Sequence, residues 1–226
     1  MKVMLLGATG LTGREVLRGL LDAPEINKVV APVRSPLPVK HPKLLAPVVD
    51  FEHLSRQPQL FQVDTVICCL GTTISKAGSR EAFRRVDHDY PLQAARLARS
   101  AGARHFLLMS AMGAAPASPV FYSRVKGELE EALKALQFDG LFIFQPSLLL
   151  GQREERRPAE ALAGRLMPLL NRALAGRLRR YRGIEAATVA RAMVRQARRL
   201  ADDPARAPGV QVLRHDEMQA LAETHR

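Results

Sequence analysis

Tyr122 and Lys126 stand four residues apart, a spacing that on a helix puts both side chains on one face. Ser110, twelve residues before the tyrosine, closes an apolar stretch that reads as a strand. A hydroxyl, a phenol and an ammonium gathered in this way can exchange a proton with an oxygen while a hydride moves to or from the carbon that bears it. A free phenol titrates near ~10, so a neighbouring ammonium and the positive charge of an oxidised nicotinamide would favour the phenolate. Ser110 then hydrogen-bonds the carbonyl oxygen, Tyr122 is the acid–base group, and Lys126 supports it while binding the nicotinamide ribose. A Tyr-x-x-x-Lys pair also arises by chance on solvated helices, so its surroundings decide its meaning.

Those surroundings begin at Gly7-Ala8-Thr9-Gly10-Leu11-Thr12-Gly13, which follows one apolar run and opens a helical pattern. In a strand–turn–helix unit such glycines let backbone amides approach a pyrophosphate, the helix dipole favours the anion, and the last glycine lets helix and strand pack closely. Thr9 and Thr12 add hydroxyls beside the phosphates, and Leu11 opens the helix. After the second strand the chain has Arg34 where a carboxylate would favour an unphosphorylated adenosine ribose. An arginine there can fork onto a 2′-phosphate, so NADPH is expected over NADH. Asp50, after the third strand, has two readings, a contact to adenine or a cap on the next helix.

The elements that must position these residues follow from hydrophobic period. Strands are expected at 2–7, 27–33, 46–51, 64–70, 104–110 and 140–145, alternating with helices at 11–23, 52–61, 79–101 and 118–136. Ser118-Pro119 fits the cap and first position of the helix that carries Tyr122, and Pro91 implies a kink or restart in the long helix before it. Beyond a polar loop at 151–157, a leucine stripe marks a helix at 158–175, then a helix at 185–200 and a last strand and helix near 210–222. The expected fold is α/β: a doubly wound, Rossmann-like parallel sheet in one domain spanning 1–226. Residues 151–185 form a small substrate-side insertion, part of a small C-terminal substrate-covering segment. In such sheets ligands bind at the carboxyl ends of the strands, where all the residues singled out above fall.

Composition narrows the alternatives. The 226 residues are 47% hydrophobic and 25% charged, enough for an ordinary core and against disorder. The two cysteines, Cys68 and Cys69, are neighbours in a strand and point to opposite faces, so no disulfide framework exists, and Cys69 is placed to line the cofactor cleft. The six histidines are scattered, which leaves no ligand spacing for a protein-held metal. No apolar run approaches the roughly 20 residues of a membrane span, so a cytoplasmic chain is expected. A net charge of +12 favours anionic ligands. Arginines cluster at Arg172, Arg177, Arg179, Arg180 and Arg182, and again at Arg191, Arg195, Arg198 and Arg199, without an aromatic stacking set. No specific nucleic-acid partner is therefore expected. Monomer and homodimer both stay open.

On these motifs, with Tyr122-Ser123-Arg124-Val125-Lys126, the whole chain resembles the atypical short-chain dehydrogenase/reductase superfamily. Within it, Cys69-Leu70-Gly71-Thr72-Thr73, Lys76-Ala77-Gly78-Ser79, the stretch from Phe83 to Tyr90 and Gln145-Pro146-Ser147 are similar to the Tat-interacting-protein-like branch of NADPH-binding oxidoreductases. The resemblance implies that Leu70, Gly71 and Thr72 border the cofactor after the fourth strand, and that Pro146, Ser147 and Leu148 sit near the nicotinamide. One departure is Asp87, which stands where many extended members carry a relay asparagine. Two functions follow. The first is an NADPH-dependent oxidoreductase acting on a small carbonyl/alcohol substrate by hydride transfer. The alternative is an NADPH-binding regulatory or redox-sensing interaction protein with little or no turnover.

Overall fold

Val3 and Leu5 point to one side of the first strand and Met4 and Leu6 to the other, and all four are fully buried. A strand buried on both faces needs a helical layer on each side, which is what this chain builds. The structure, a computed structural model, describes residues 1–150, 182–203, 205 and 209–224. Its strands are β1 (Lys2–Leu6), β2 (Lys28–Val30), β3 (Leu44–Leu45), β4 (Thr65–Cys68), β5 (His105–Met109), β6 (Gly140–Phe144), β7 (Leu149–Leu150), β8 (Ile184–Glu185) and β9 (Gly209–Leu213). Seven of them form one sheet in the order β3-β2-β1-β4-β5-β6-β9. Every neighbouring pair runs parallel. The order reverses between β1 and β4, the switch point at which a crevice opens outside the strand ends.

The helices are α1 (Leu11–Asp22), α2 (Ile74–Ala77), α3 (Arg80–Arg84), α4 (Tyr90–Ser100), α5 (Phe121–Lys134), α6 (Ala186–Asp202) and α7 (His215–Glu223). Val16 and Leu20 of α1, Met193 of α6 and Leu221 of α7 form one core with Val3, Leu5 and Ile67. Ala94 and Ala95 of α4 and Leu129 and Leu133 of α5 form the other with Met4, Leu6 and Val66. Cys68 falls in the second core and Cys69 in the first, on the opposite faces expected of neighbours in a strand. Burying a side chain of this size contributes about 1.5–3 kcal/mol, so the two cores hold the strand ends rigidly.

Three elements differ from the sequence-based expectation. The third strand is Leu44–Leu45, and residues 46–51 supply only a bridge between Val33 and Val48 before two 3-10 turns, Phe51–Arg56 and Pro58–Phe61. Pro47 gives its carbonyl to the Val33 amide at 3.0 Å but has no N–H to continue the ladder. The helix carrying Tyr122 starts at Phe121, because the Ser118 hydroxyl is spent on the Val120 amide, closing a turn one step short. The long helix before it holds a single π turn, Arg85–Asp89, between α3 and α4. Pro91 cannot donate to the Asp87 carbonyl and its ring crowds that turn, so the backbone widens there, with the Tyr90 amide reaching Arg85. The expected helix at 158–175, and Arg172, Arg177, Arg179 and Arg180, lie outside the described residues. Of the expected insertion at 151–185, residues 182–185 are described, and β8 there pairs with β7.

Candidate cofactor and reaction site

A cleft of about 820 Å³ opens at the carboxyl ends of β1, β2, β4, β5 and β6. Its floor is the glycine turn. Gly7 has a φ of +83°, and a Cβ on it would lie 2.6 Å from the Cys69 carbonyl carbon. A Cβ on Gly13 would lie 2.0 Å from the Gly7 oxygen, so only glycines let α1 sit this close to β1. Gly10 precedes α1 with no side chain capping the helix, which leaves its first amides free for an anion. Thr12 is 2% exposed and its hydroxyl has no hydrogen-bond partner. An uncapped helix start with an orphaned hydroxyl beside it fits a pyrophosphate.

Gly7, Thr9, Gly10, Leu11, Thr12 and Arg34 all line the cleft, and so do Cys69, Leu70, Gly71, Thr72, Pro146, Ser147 and Leu148. Gly13 lies beneath the lining as a packing residue. Asp50 does not line it. Its carboxylate accepts from the Glu52 amide at 2.9 Å and meets His53 Nδ1 at 2.6 Å, and that histidine bond holds it below the usual carboxylate range. Of the two readings of Asp50, the structure builds the cap. The Ser147 hydroxyl is turned to the Arg182 carbonyl. Among the described lining residues Arg14, Arg34, Lys76, Arg85 and Lys126 are cationic and Asp87 alone is acidic, a field suited to a phosphorylated ligand.

Ser110, Tyr122 and Lys126 meet at the same cleft. Tyr122 is 38% exposed, its ring tilted 5.7 Å from that of Phe83, while Ser110 and Lys126 are 5% and 3% exposed. Lys126 Nζ is 2.8 Å from Asp87 Oδ1, and Asp87 Oδ2 accepts from the Thr72 amide at 2.8 Å. Burial alone would push the lysine toward its neutral form, but the facing carboxylate outweighs this and raises its pKa. The ammonium is therefore held charged, in an ion pair with Asp87. Ser110 donates to the carboxylate of Glu130, which also takes Gln145 Nε2 at 3.0 and 3.1 Å. Burial raises both cysteine thiols, that of Cys68 to about 11, so neither is poised as a nucleophile.

Sequence reasoning missed Glu130, Gln145, Arg85 and the wall made by Phe51 and Tyr90, whose rings lie 5.6 Å apart. Glu130 follows Lys126 at the same four-residue spacing by which Lys126 follows Tyr122, a signal that points it to the same helix face. Tyr90 donates to Glu52 at 2.5 Å, and burial together with that carboxylate raises its phenol to about 12.

A sequence family described as NAD(P)H-binding matches residues 7–141. The chain belongs to this family. Protein HTATIP2 of Rattus norvegicus is 42% identical over 165 residues, covering 71% of this chain and 68% of that protein. This bears out the resemblance to the Tat-interacting-protein-like branch. The mitochondrial protein fmp52 of Emericella nidulans is 37% identical over 168 residues, covering 71% and 72%. Among solved structures, MoeE5 in complex with UDP-glucuronic acid and NAD has a TM-score of 0.70 at 18% identity, covering 94% of this chain and 75% of that one. A UDP-glucuronic acid 4-epimerase from Bacillus cereus in complex with NAD has a TM-score of 0.67 at 15% identity, covering 96% and 78%. At these identities the likeness is one of fold, the Rossmann-like sheet of short-chain dehydrogenase type. No helix among the described residues is long and apolar enough to cross a membrane, and no group of three or more potential metal ligands occurs among them.

Proposed function

We propose that this protein is an NADPH-dependent oxidoreductase acting on a small carbonyl/alcohol pair. The observation that carries the reading is the convergence of Ser110, Tyr122 and Lys126 on the cleft whose floor is the glycine turn. Bound there, the nicotinamide supplies the hydride chemistry. Thr12 and the first amides of α1 hold the pyrophosphate, and Arg34 at the rim beyond β2 takes the 2′-phosphate. Tyr122 gives its phenolic proton to the substrate oxygen in reduction and takes it back in oxidation. Lys126, kept charged by Asp87, holds the tyrosine and the ribose in register.

The reading is tested by titrating the protein with NADPH and NADH, following cofactor fluorescence. NADPH should bind more tightly, and Arg34→Ala should reduce that preference by about tenfold, the scale of one lost charge-assisted contact. In a screen of ketones and aldehydes, Tyr122→Phe should abolish turnover and leave NADPH binding intact. The competing reading, an NADPH-binding regulator with little turnover, draws support from the two buried carboxylates that already engage Lys126 and Ser110. Cellular activity that survives Tyr122→Phe would favour it.

No nucleic-acid role enters the proposal. Arg198 forks onto Glu25, Arg191 donates to Thr188, and Arg199 to Thr224, so the described arginines of α6 are engaged within the chain. The cytoplasm is the proposed location, although the names of the fungal relatives assign those proteins to mitochondria.

A further inference from the structure

We propose that Glu130 makes Ser110 a hydrogen-bond acceptor toward the cleft, so that the reaction subsite holds an alcohol in preference to the matching ketone. The inference rests on the oxidoreductase reading and specifies its ligand. Glu130 and Ser110 are each 5% exposed, on α5 and at the end of β5. Gln145 Nε2 lies 3.0 and 3.1 Å from the two carboxylate oxygens, an arrangement in which both accept. Ser110 Oγ donates to Glu130 Oε1, so the hydrogen between them comes from the serine.

A serine hydroxyl carries one donor and two lone pairs. With the donor spent behind the site, Ser110 presents only lone pairs to the cleft it lines. In the complex with reduced cofactor, where Tyr122 keeps its proton, an alcohol answers that arrangement: its O–H donates to Ser110 while its oxygen accepts from the Tyr122 hydroxyl. A ketone has no donor, and bound in the same place it sets its own lone pairs against those of Ser110. The ordinary expectation that Ser110 donates to a carbonyl is thus reversed by one carboxylate packed behind it. Glu130 is a positioning residue here, since it touches the serine and not the ligand.

Replacing Glu130 by glutamine reverses the polarity again. Gln145 still requires an acceptor, so the new amide turns its oxygen toward Gln145 and its nitrogen toward Ser110, and the serine proton is freed toward the cleft. The test uses calorimetric titration of complexes that cannot react, a set of secondary alcohols including 1-phenylethanol and cyclohexanol on NADPH-saturated protein, and acetophenone and cyclohexanone on NADP-saturated protein. The ratio of alcohol to ketone affinity should be about tenfold higher in the wild-type protein than in Ser110→Ala, one hydrogen bond's worth of discrimination. Glu130→Gln should lose or invert that ratio, and the effect of cofactor charge cancels between the two proteins. Ser110→Ala supplies that comparison and keeps the test open should Glu130→Gln fold poorly.

A ratio unchanged in Glu130→Gln, or no alcohol binding to protein that does bind NADPH, would each overturn the proposal. Protein that binds neither nucleotide overturns the oxidoreductase reading beneath it and this proposal with it, an outcome recognised before any alcohol is added.

Discussion

Lys126 and Asp87 face each other with their side chains 4% and 1% exposed, and neither charge is tolerable there without the other. Removing one member of a buried pair leaves the second unpaired, which costs about 3–5 kcal/mol. Asp87→Ala should lower stability by that amount in urea unfolding, and a Lys126→Met, Asp87→Leu double replacement should recover most of it. Asp87 also accepts from the Thr72 amide, and so fixes the strand-end loop that borders the cleft. Asp87 was legible in the sequence only as a departure from a relay asparagine. That its carboxylate is a fixed counter-ion for a lysine 39 residues away depends on the packing of two helices against one loop.

At the scale of elements, α5 carries Tyr122, Lys126 and Glu130, and its position is set by Gly127. A Cβ there would lie 2.2 Å from the Ala115 carbonyl carbon and 2.4 Å from the Pro116 nitrogen. These are backbone atoms, so the helix rather than a side chain would have to move. Gly127→Ala should therefore cost about 1–3 kcal/mol in unfolding free energy and shift the whole face that carries Tyr122, Lys126 and Glu130. Loss of turnover beyond what instability explains, measured below the melting transition, checks that coupling. The existence of α5 was plain from its apolar period, and so was the face shared by Tyr122 and Lys126. Its start was misplaced because Ser118 and Val120 form a turn whose energy is local to three residues and is drowned in the hydrophobic pattern. The π turn before α4 was half legible: Pro91 announced a disturbance, but whether a proline kinks, breaks or widens a helix depends on what packs around it.

Across the whole molecule, the turn after α1 is tied to α6 by Glu25 and Arg198, whose side chains are 21% and 34% exposed and whose closest atoms are 2.7 Å apart. Arg198, chiefly through its hydrogen bonds, holds Glu25 below the ordinary carboxylate value of 4.5. A carboxylate with a depressed folded-state pKa adds stability above its unfolded value and loses it as pH falls through the folded one. Glu25→Gln should thus cost about 0.5–1 kcal/mol at pH 7, the range for a partly solvated pair, and this difference should vanish in urea titrations below the depressed pKa. Glu25 and Arg198 are far apart in the chain, and only the docking of α6 on α1 brings them together.

The sequence by itself determined the parallel α/β layering, the glycine turn and the identity of Ser110, Tyr122 and Lys126. Each of these rests on short-range spacing, the alternation of a strand, the 3.6-residue turn of a helix, or the steric demand of a tight βα turn. It also placed Arg34 at the end of β2. What the tertiary structure decided are the contacts between distant segments: Asp87 against Lys126, and Glu130 between Ser110 and Gln145. The physical reason is that a buried polar group must find a partner wherever packing puts one, and sequence spacing carries no record of which neighbour that will be.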